Sequence, residues 1–586
     1  MKRSFLKSAV ALVTCVLVVF GAGHAYADEQ KLPSGTPYDQ IGQKIEDYYK
    51  EHEKTSAGMA TTVIDKDGQT IYQKNFGYMD KEKKLAVDDN SVFEWGSTTK
   101  IAVWVSVMQL WEEGKINLET DIKEYLPKGF LKTLKYDKPI TMRDLMNHQA
   151  GFDEWMFYMG TDRSLEQALS QGQPAQSYEP GTTTAYSNFS TALAGYIVER
   201  VSGQKFADYV HEHIFQPLSM KHTALLPDLS DNSYVKEKRE QEKVYDANGK
   251  LIGAGEFPIS VYPAGRATGT FADIKKFAQA LLSKKSLFER TETWDKFYSA
   301  TNTYPGTDIP INTHGLWATE FENTRTLGHG GNTAGFTTSL LLDFKSGIAS
   351  VVMANQLYEQ NYTAGIPTLI YGKAHKPSQE AVKACESGYY RISRTMLQGP
   401  FSFMRIQNTT YLTDAQKHPE LSTMYWAYDK SEGQEKIKIP ISDLTKVSTF
   451  DVIKDYGALL LAALAVVYAF SSYLLGALVK AYRLLFRKKA KVATPKVWIF
   501  WHYTSAALVL AAATNMFVLF TASKDASTSS TDVIWQFILF AILAVVLLLA
   551  SLVPFVWNHR FPLSKGKKVL TFLTSSASLL IVFNII

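Results

Sequence analysis

Hydrophobic and polar positions divide the 586-residue chain into stretches of different period. Met59–Asp65 and Gln69–Phe76 carry the apolar and β-branched side chains of a strand pair around a Lys66-Asp67-Gly68 turn. Thr338–Phe344 and Ala349–Asn355 repeat that pattern around Lys345-Ser346-Gly347. Ile101–Glu113 and Thr191–Val201 have the three-to-four-residue spacing of helices. Residues 28–373 therefore read as a mixed α/β domain. Residues 374–455 are more polar and read as a small appended module or stalk, with Tyr389-Tyr390, Ser402-Phe403 and Lys436–Ile441 as strand candidates. From residue 456 the pattern changes again. Gly457–Val479, Val497–Ala522, Val533–Trp557 and Val569–Ile586 are long, apolar and almost uncharged, which predicts four transmembrane helices over 456–586.

The first residues obey another grammar. Lys2, Arg3 and Lys7 precede an apolar run, Ala9–Phe20, and then Ala25-Tyr26-Ala27. That is a secretory signal peptide over 1–27 with a small-x-small cleavage site. An uncleaved anchor is the alternative, although the run is short for a membrane span. Cys15 lies inside the run, so cleavage leaves Cys385 alone and no intrachain disulfide is expected.

Charge supplies the topology. The loop after the first span carries Lys480, Arg483, Arg487, Lys488, Lys489, Lys491 and Lys496. The loop before the last carries Arg560, Lys565, Lys567 and Lys568, whereas the middle loop has Lys524 with Asp525 and Asp532. The positive-inside rule puts both basic loops in the cytoplasm and residue 456 outside, as a signal peptide also requires. The expected location is the cell membrane, multi-pass, with the preceding domain on the extracytoplasmic side. The net charge of +5 comes from the loops and the leader, because acidic residues outnumber basic ones over 28–455. It gives no reason to expect nucleic acid as a partner.

The candidate chemistry sits in three places. Ser97-Thr98-Thr99-Lys100 follows an apolar-aromatic lead and precedes the helical run. If Ser97 opens that helix, Lys100 lies beside its hydroxyl, and a partly buried amine is the base a serine needs. Ser-x-x-Lys is a cheap pattern, also present at Ser4, Ser202, Ser233 and Ser564, but those four lack this context. Tyr186-Ser187-Asn188 precedes the second helical run. It reads either as a capped turn or as a proton-shuttling tyrosine with an amide that orients substrate. Gly328-His329-Gly330-Gly331-Asn332 precedes the second strand pair. It reads either as a glycine-rich turn or as an edge against which a substrate strand lies. In the second reading the Asn332 and Ser97 backbone N–H groups form an oxyanion hole.

Taken in order, Ser-x-x-Lys, Tyr-x-Asn and His-Gly-Gly resemble the three elements of the serine beta-lactamase and penicillin-recognising superfamily, in its class-C-like branch of DD-peptidases, D-aminopeptidases and related esterases. Gly114–Leu118 leading to Tyr125-Leu126-Pro127, Ile140–Gly151, and Pro263-Ala264-Gly265 with Thr268 and Asp273 extend the resemblance over about residues 40–373. The resemblance implies a beta-lactamase-like α/β (α+β) domain, an antiparallel sheet flanked by helices plus a helical lobe. It implies Ser97 as the acylated nucleophile and Lys100 with Tyr186 as base and proton relay. Asn188, His329, Gly330, Gly331 and Asn332 would bind substrate, with no metal and no cofactor.

The implied activity is peptide cleavage beside D-amino acids, in wall peptides or peptide antibiotics. An esterase, a weak beta-lactamase, or a beta-lactam sensor that acylates without turnover and signals through the helices are the alternatives. His329 stands where class C beta-lactamases have lysine, which argues against efficient beta-lactam hydrolysis. Arg266 replaces a residue that is small in the family, and it either lines the cleft or lies on the surface. Four spans exceed what anchoring needs, so a membrane partner for the bundle is expected. His502 and Asn515 are its notable polar groups, marking a pathway or, for His502, an interfacial position.

Overall fold

The computed structural model describes residues 30–487, 494–523, 530–557 and 563–585, apart from positions 133, 162, 256 and 420. The signal segment lies outside the described residues, as do Lys488, Lys489, Lys491, Lys524, Asp525 and Arg560 of the loops.

Nine strands form the main sheet: β1 (Gly58–Asp65), β2 (Thr70–Asp80), β3 (Leu85–Ala86), β4 (Asn302–Thr303), β5 (Pro310–Thr313), β6 (Leu316–Glu320), β7 (Arg325–Asn332), β8 (Thr337–Asp343) and β9 (Ile348–Ala354). They pair antiparallel in the order β3-β2-β1-β9-β8-β7-β6-β5-β4. Both hairpins expected from alternation are present, and Met59 opposite Ala354 joins them edge to edge. Strand alternation sends successive side chains to opposite faces. Met59 and Val63 accordingly pack under α1 (Ile41–His52) and a later helix, Asn361–Tyr371, while Ala60 and Ile64 face the larger core.

That larger core holds α2 (Lys100–Glu112), α3 (Asn188–Ser202) and α4 (Phe271–Ser283). All but one of the residues Lys100–Leu110 of α2 are buried, so this helix is central rather than amphipathic. A helical lobe therefore stands against one sheet face. Arg266 is not on the surface. Its guanidinium is buried against Glu94 at 3.2 Å and the Pro227 carbonyl at 2.9 Å, and Arg239 pairs with the same carboxylate at 3.1 Å.

Residues 388–447 form a second sheet with its own small core around Tyr390, Trp426 and Ile437. Its strands are β10 (Gly388–Ile392), β11 (Thr409–Leu412), β12 (Ala427–Asp429), β13 (Lys436–Lys438) and β14 (Leu444–Val447). Ser402-Phe403 is not a strand, contrary to its apolar character. It follows Gly399, whose φ is +76°, and leads into the short helix Met404–Gln407. Phe403 is spent instead on packing against Phe520 of the C-terminal helices, with ring centroids 5.9 Å apart.

Those helices are α5 (Thr449–Leu485), α6 (Lys496–Ala522), α7 (Ser530–Trp557) and α8 (Lys565–Ile585), each long and apolar enough to cross a membrane. His502 and Asn515 are buried between helices, where Nδ1 of His502 meets Thr574 Oγ1 at 2.8 Å and Asn515 Nδ2 donates to the Gln536 carbonyl at 2.8 Å. Each joins two of these helices by a hydrogen bond, the role common for such groups in an apolar bundle. Helix α5 starts at Thr449, about two turns before the apolar stretch expected from Gly457. There the buried Asp455 binds Arg391 at 2.6 Å and Arg405 at 3.0 Å, tying the helix to the second sheet. Asp455→Ala strands two arginines at this joint. It is expected to cost about 3 kcal/mol, read as a lower melting temperature of the full chain in detergent.

Candidate active site

Ser97 does not open the α-helix. It lies in a 3₁₀ turn, Gly96–Thr99, that feeds α2 at Lys100. Residues three apart eclipse on a 3₁₀ turn, so Lys100 still comes beside Ser97. Two close backbone approaches hold the turn against β7. Gly96 has φ +53°, and a Cβ there would stand 2.6 Å from the Asn332 nitrogen. A Cβ on Gly331 would stand 1.9 Å from the Trp95 carbonyl oxygen and 3.1 Å from the Ser97 nitrogen. Thr98 Oγ1 also donates to the His329 carbonyl at 3.3 Å.

Lys100 is fully buried. Its Nζ donates to Asn188 Oδ1 at 2.8 Å and to the Ala264 carbonyl, and lies 3.2 Å from Ser97 Oγ. Burial, and then the Arg394 charge, hold the amine well below its usual range, with Glu154 opposing. A neutral amine has two N–H bonds and one lone pair. The two acceptors use both N–H bonds, which leaves the lone pair for the Ser97 hydroxyl. Asn188 opens α3, capped by Ser187 Oγ, which accepts from the Ser190 N–H at 3.1 Å. The preceding Tyr186 places its ring centroid 4.8 Å from Lys100 Nζ. Its hydroxyl is buried and faces Ser97. Burial pushes the Tyr186 phenol up, against the pull of Ser97 and Arg394.

The third element is interior to the sheet, yet locally an edge. On one side β7 pairs with β8 as far as Asn332, while on the other its pairing with β6 stops at Gly328. His329–Asn332 are thus left with one side unpaired by β6, close to the nucleophile turn. Gly330 is exposed, and its carbonyl lies 2.5 Å from His329 Nδ1, so that nitrogen carries the proton. His329 Nε2 is buried without a partner among the described residues. The Asn332 side chain accepts from Thr337 Oγ1 at 3.1 Å.

Three neighbours were not legible as site residues. His148 takes the Ser187 N–H on Nδ1 at 3.1 Å, stacks on Trp317 with ring centroids 5.4 Å apart and lies tilted against Tyr186 at 4.5 Å. Arg394, from the second sheet's segment, places its guanidinium carbon 4.8 Å from the Tyr186 ring centroid and pairs with Glu154. Only His148 stands in a stretch the sequence had marked.

Burial lowers His329 to about 3 and drives His148 well below its usual range, each helped by the charge on Lys100. A histidine whose folded pKa is depressed contributes stability that is complete above about pH 6.5 and is lost as pH falls toward the folded value. The melting temperature is therefore expected to drop between pH 6.5 and 4. His329→Asn is expected to flatten that slope, measured by thermal denaturation across pH.

The beta-lactamase family model matches residues 43–371, more than half of the chain. The chain belongs to this family. Among curated relatives, it is similar to the unguisins hydrolase of Aspergillus campestris, at 27% identity over 353 residues, covering 56% of this chain and 64% of that protein. It is also 27% identical over 237 residues to the teichoic acid D-alanine hydrolase of Staphylococcus aureus, covering 40% of this chain and 56% of that one. The chain thus spans less than two thirds of the length of either relative. A solved structure, the D-amino acid amidase of Ochrobactrum anthropi, is 23% identical with a TM-score of 0.47, covering 57% of this chain and 97% of its own. Arg394 and the C-terminal helices lie outside the matched family residues.

Proposed function

We propose that this protein is a membrane-anchored, extracytoplasmic serine hydrolase that works through an acyl-Ser97 intermediate and cleaves next to D-amino acids. The observation that carries the reading is Lys100, an amine buried 3.2 Å from Ser97 Oγ whose other two partners are both acceptors. With Lys100 held low and Tyr186 held high, the base is the lysine and the tyrosine stays a neutral phenol.

The Ser97 oxygen attacks the substrate carbonyl while its proton passes to Lys100. The carbonyl oxygen becomes an anion between the Ser97 and Asn332 backbone N–H groups. The C–N bond then breaks, and the proton on Lys100 reaches the leaving amine through the Tyr186 hydroxyl. Water next attacks the ester, again giving its proton to Lys100, and the acid leaves with Ser97 restored. The substrate backbone pairs along His329–Asn332, and the Asn188 amide orients its carbonyl group. The four helices hold the domain at the membrane, with the basic loops in the cytoplasm.

Preference for D-residues is supported by the teichoic acid D-alanine hydrolase among the relatives and by His329 at the position where class C beta-lactamases have lysine. Full-length protein in detergent, wild type and Ser97→Ala, is to be incubated with peptides that differ only in L or D residues. Ser97-dependent products beside D-residues are expected by mass spectrometry. Stable acylation by a fluorescent penicillin, with no peptide or ester turned over, would point to a sensor instead.

A further inference from the structure

The catalytic residues of the three elements all come from the matched family segment, yet the face of Tyr186 is occupied from outside it. The contact is built rather than incidental. The Tyr186 N–H donates to the Ile441 carbonyl at 2.8 Å, and Ala185 pairs with Ser442 as an isolated bridge. Thr184 exchanges two hydrogen bonds with Asp443, through its N–H at 3.0 Å and its carbonyl at 2.8 Å. The Arg394 N–H donates to Ser442 Oγ at 2.9 Å, which fixes where that side chain starts. Its guanidinium then lies 4.8 Å from the Tyr186 centroid, a distance at which a cation and a ring attract.

Glu154 holds the other side of the guanidinium, and its own N–H donates to the Thr395 carbonyl at 3.2 Å. Its neighbour Trp155 stacks on Phe537 of α7 at 5.6 Å, and Phe157 meets the same ring at 5.9 Å. The clamp on Arg394 is therefore seated on the outer end of a membrane helix.

We propose that Arg394 is a positioning residue of this active site: clamped by Glu154, it fixes the Tyr186 ring beside Lys100 and sets the electrostatic balance in which Lys100 works. The inference rests on the acyl-Ser97 reading. The charged and titratable groups around Lys100 are Tyr186, His148 and His329, with Arg394 and Glu154. Arg394 favours the neutral amine and Glu154 disfavours it.

The two halves of one ion pair thus push in opposite directions, and this separates an electrostatic role from a structural one. The test uses the full chain in detergent and the rate of Ser97 acylation by a p-nitrophenyl ester between pH 5 and 9. Arg394→Gln should lower the rate about tenfold and move its acidic limb to higher pH. Glu154→Gln should move that limb to lower pH, and Arg394→Lys should restore the wild-type position. Limbs that stay in place, or that move the same way for Arg394→Gln and Glu154→Gln, would overturn the assignment. Failure of the wild type to be acylated at all would overturn the hydrolase reading itself and the positioning role with it.

Discussion

Lys100→Met is expected to lower the rate of Ser97 acylation by about a thousandfold or more while leaving the protein folded. Methionine is linear and close in length to lysine, so it fills the same buried slot without a lone pair. The Asn188 and Ala264 acceptors lose their donor, but the cost of burying an amine disappears with it. These effects oppose each other, so the melting temperature should change little. Wild-type acylation should also fall as pH drops through the lowered pKa of Lys100, because a protonated amine cannot accept the Ser97 proton. The residual rate of Lys100→Met should show no such limb. Both are read by stopped-flow release of nitrophenol from an activated ester.

Gly331→Ala should also cost about a hundredfold or more, for a reason rooted in the backbone. Its Cβ would fall 1.9 Å from the Trp95 carbonyl oxygen, and neither chain there has a flexible end to yield. To admit the methyl, β7 must separate from the nucleophile turn, pulling the Asn332 and Ser97 N–H groups apart. Gly330 provides the control. A Cβ there would meet only the Thr338 carbonyl at 3.5 Å, an ordinary contact. Gly330→Ala should leave β7 seated on the nucleophile turn, with a melting temperature close to that of wild type. Adjacent glycines thus carry opposite expectations.

These two positions also show what the sequence could convey. Local features were legible because local physics fixes them. The hairpins around Lys66-Asp67-Gly68 and Lys345-Ser346-Gly347, the helix behind Lys100 and the four apolar spans all follow from period and turn chemistry. The pairing of Ser97 with Lys100 survived the change from α-helix to 3₁₀ turn, because both geometries bring residues three apart together. Ser402-Phe403 misled, since an apolar pair before a short helix resembles a strand end until the C-terminal helices that cover it are known.

Long-range placement was not legible. Nothing near Arg394 in the sequence announces that it crosses to Tyr186, because the hydrogen bonds that dock Ile441–Asp443 on Thr184 and Tyr186 run between residues more than two hundred positions apart. Arg266 shows the same limit, as its carboxylate partner is fixed by tertiary structure alone. The open side of His329–Asn332 depends on where β6 stops pairing, and that register is set by the whole sheet.

The most direct measurement is intact-protein and peptide-level mass spectrometry of the full chain, quenched within seconds of mixing with a D-alanyl ester or a penicillin. A single acyl group on the peptide containing Ser97 is expected, absent in Ser97→Ala and strongly reduced in Lys100→Met. An acyl group on a different residue, or one that persists unchanged in Ser97→Ala, would contradict the assignment of Ser97 as nucleophile and the chemistry built upon it.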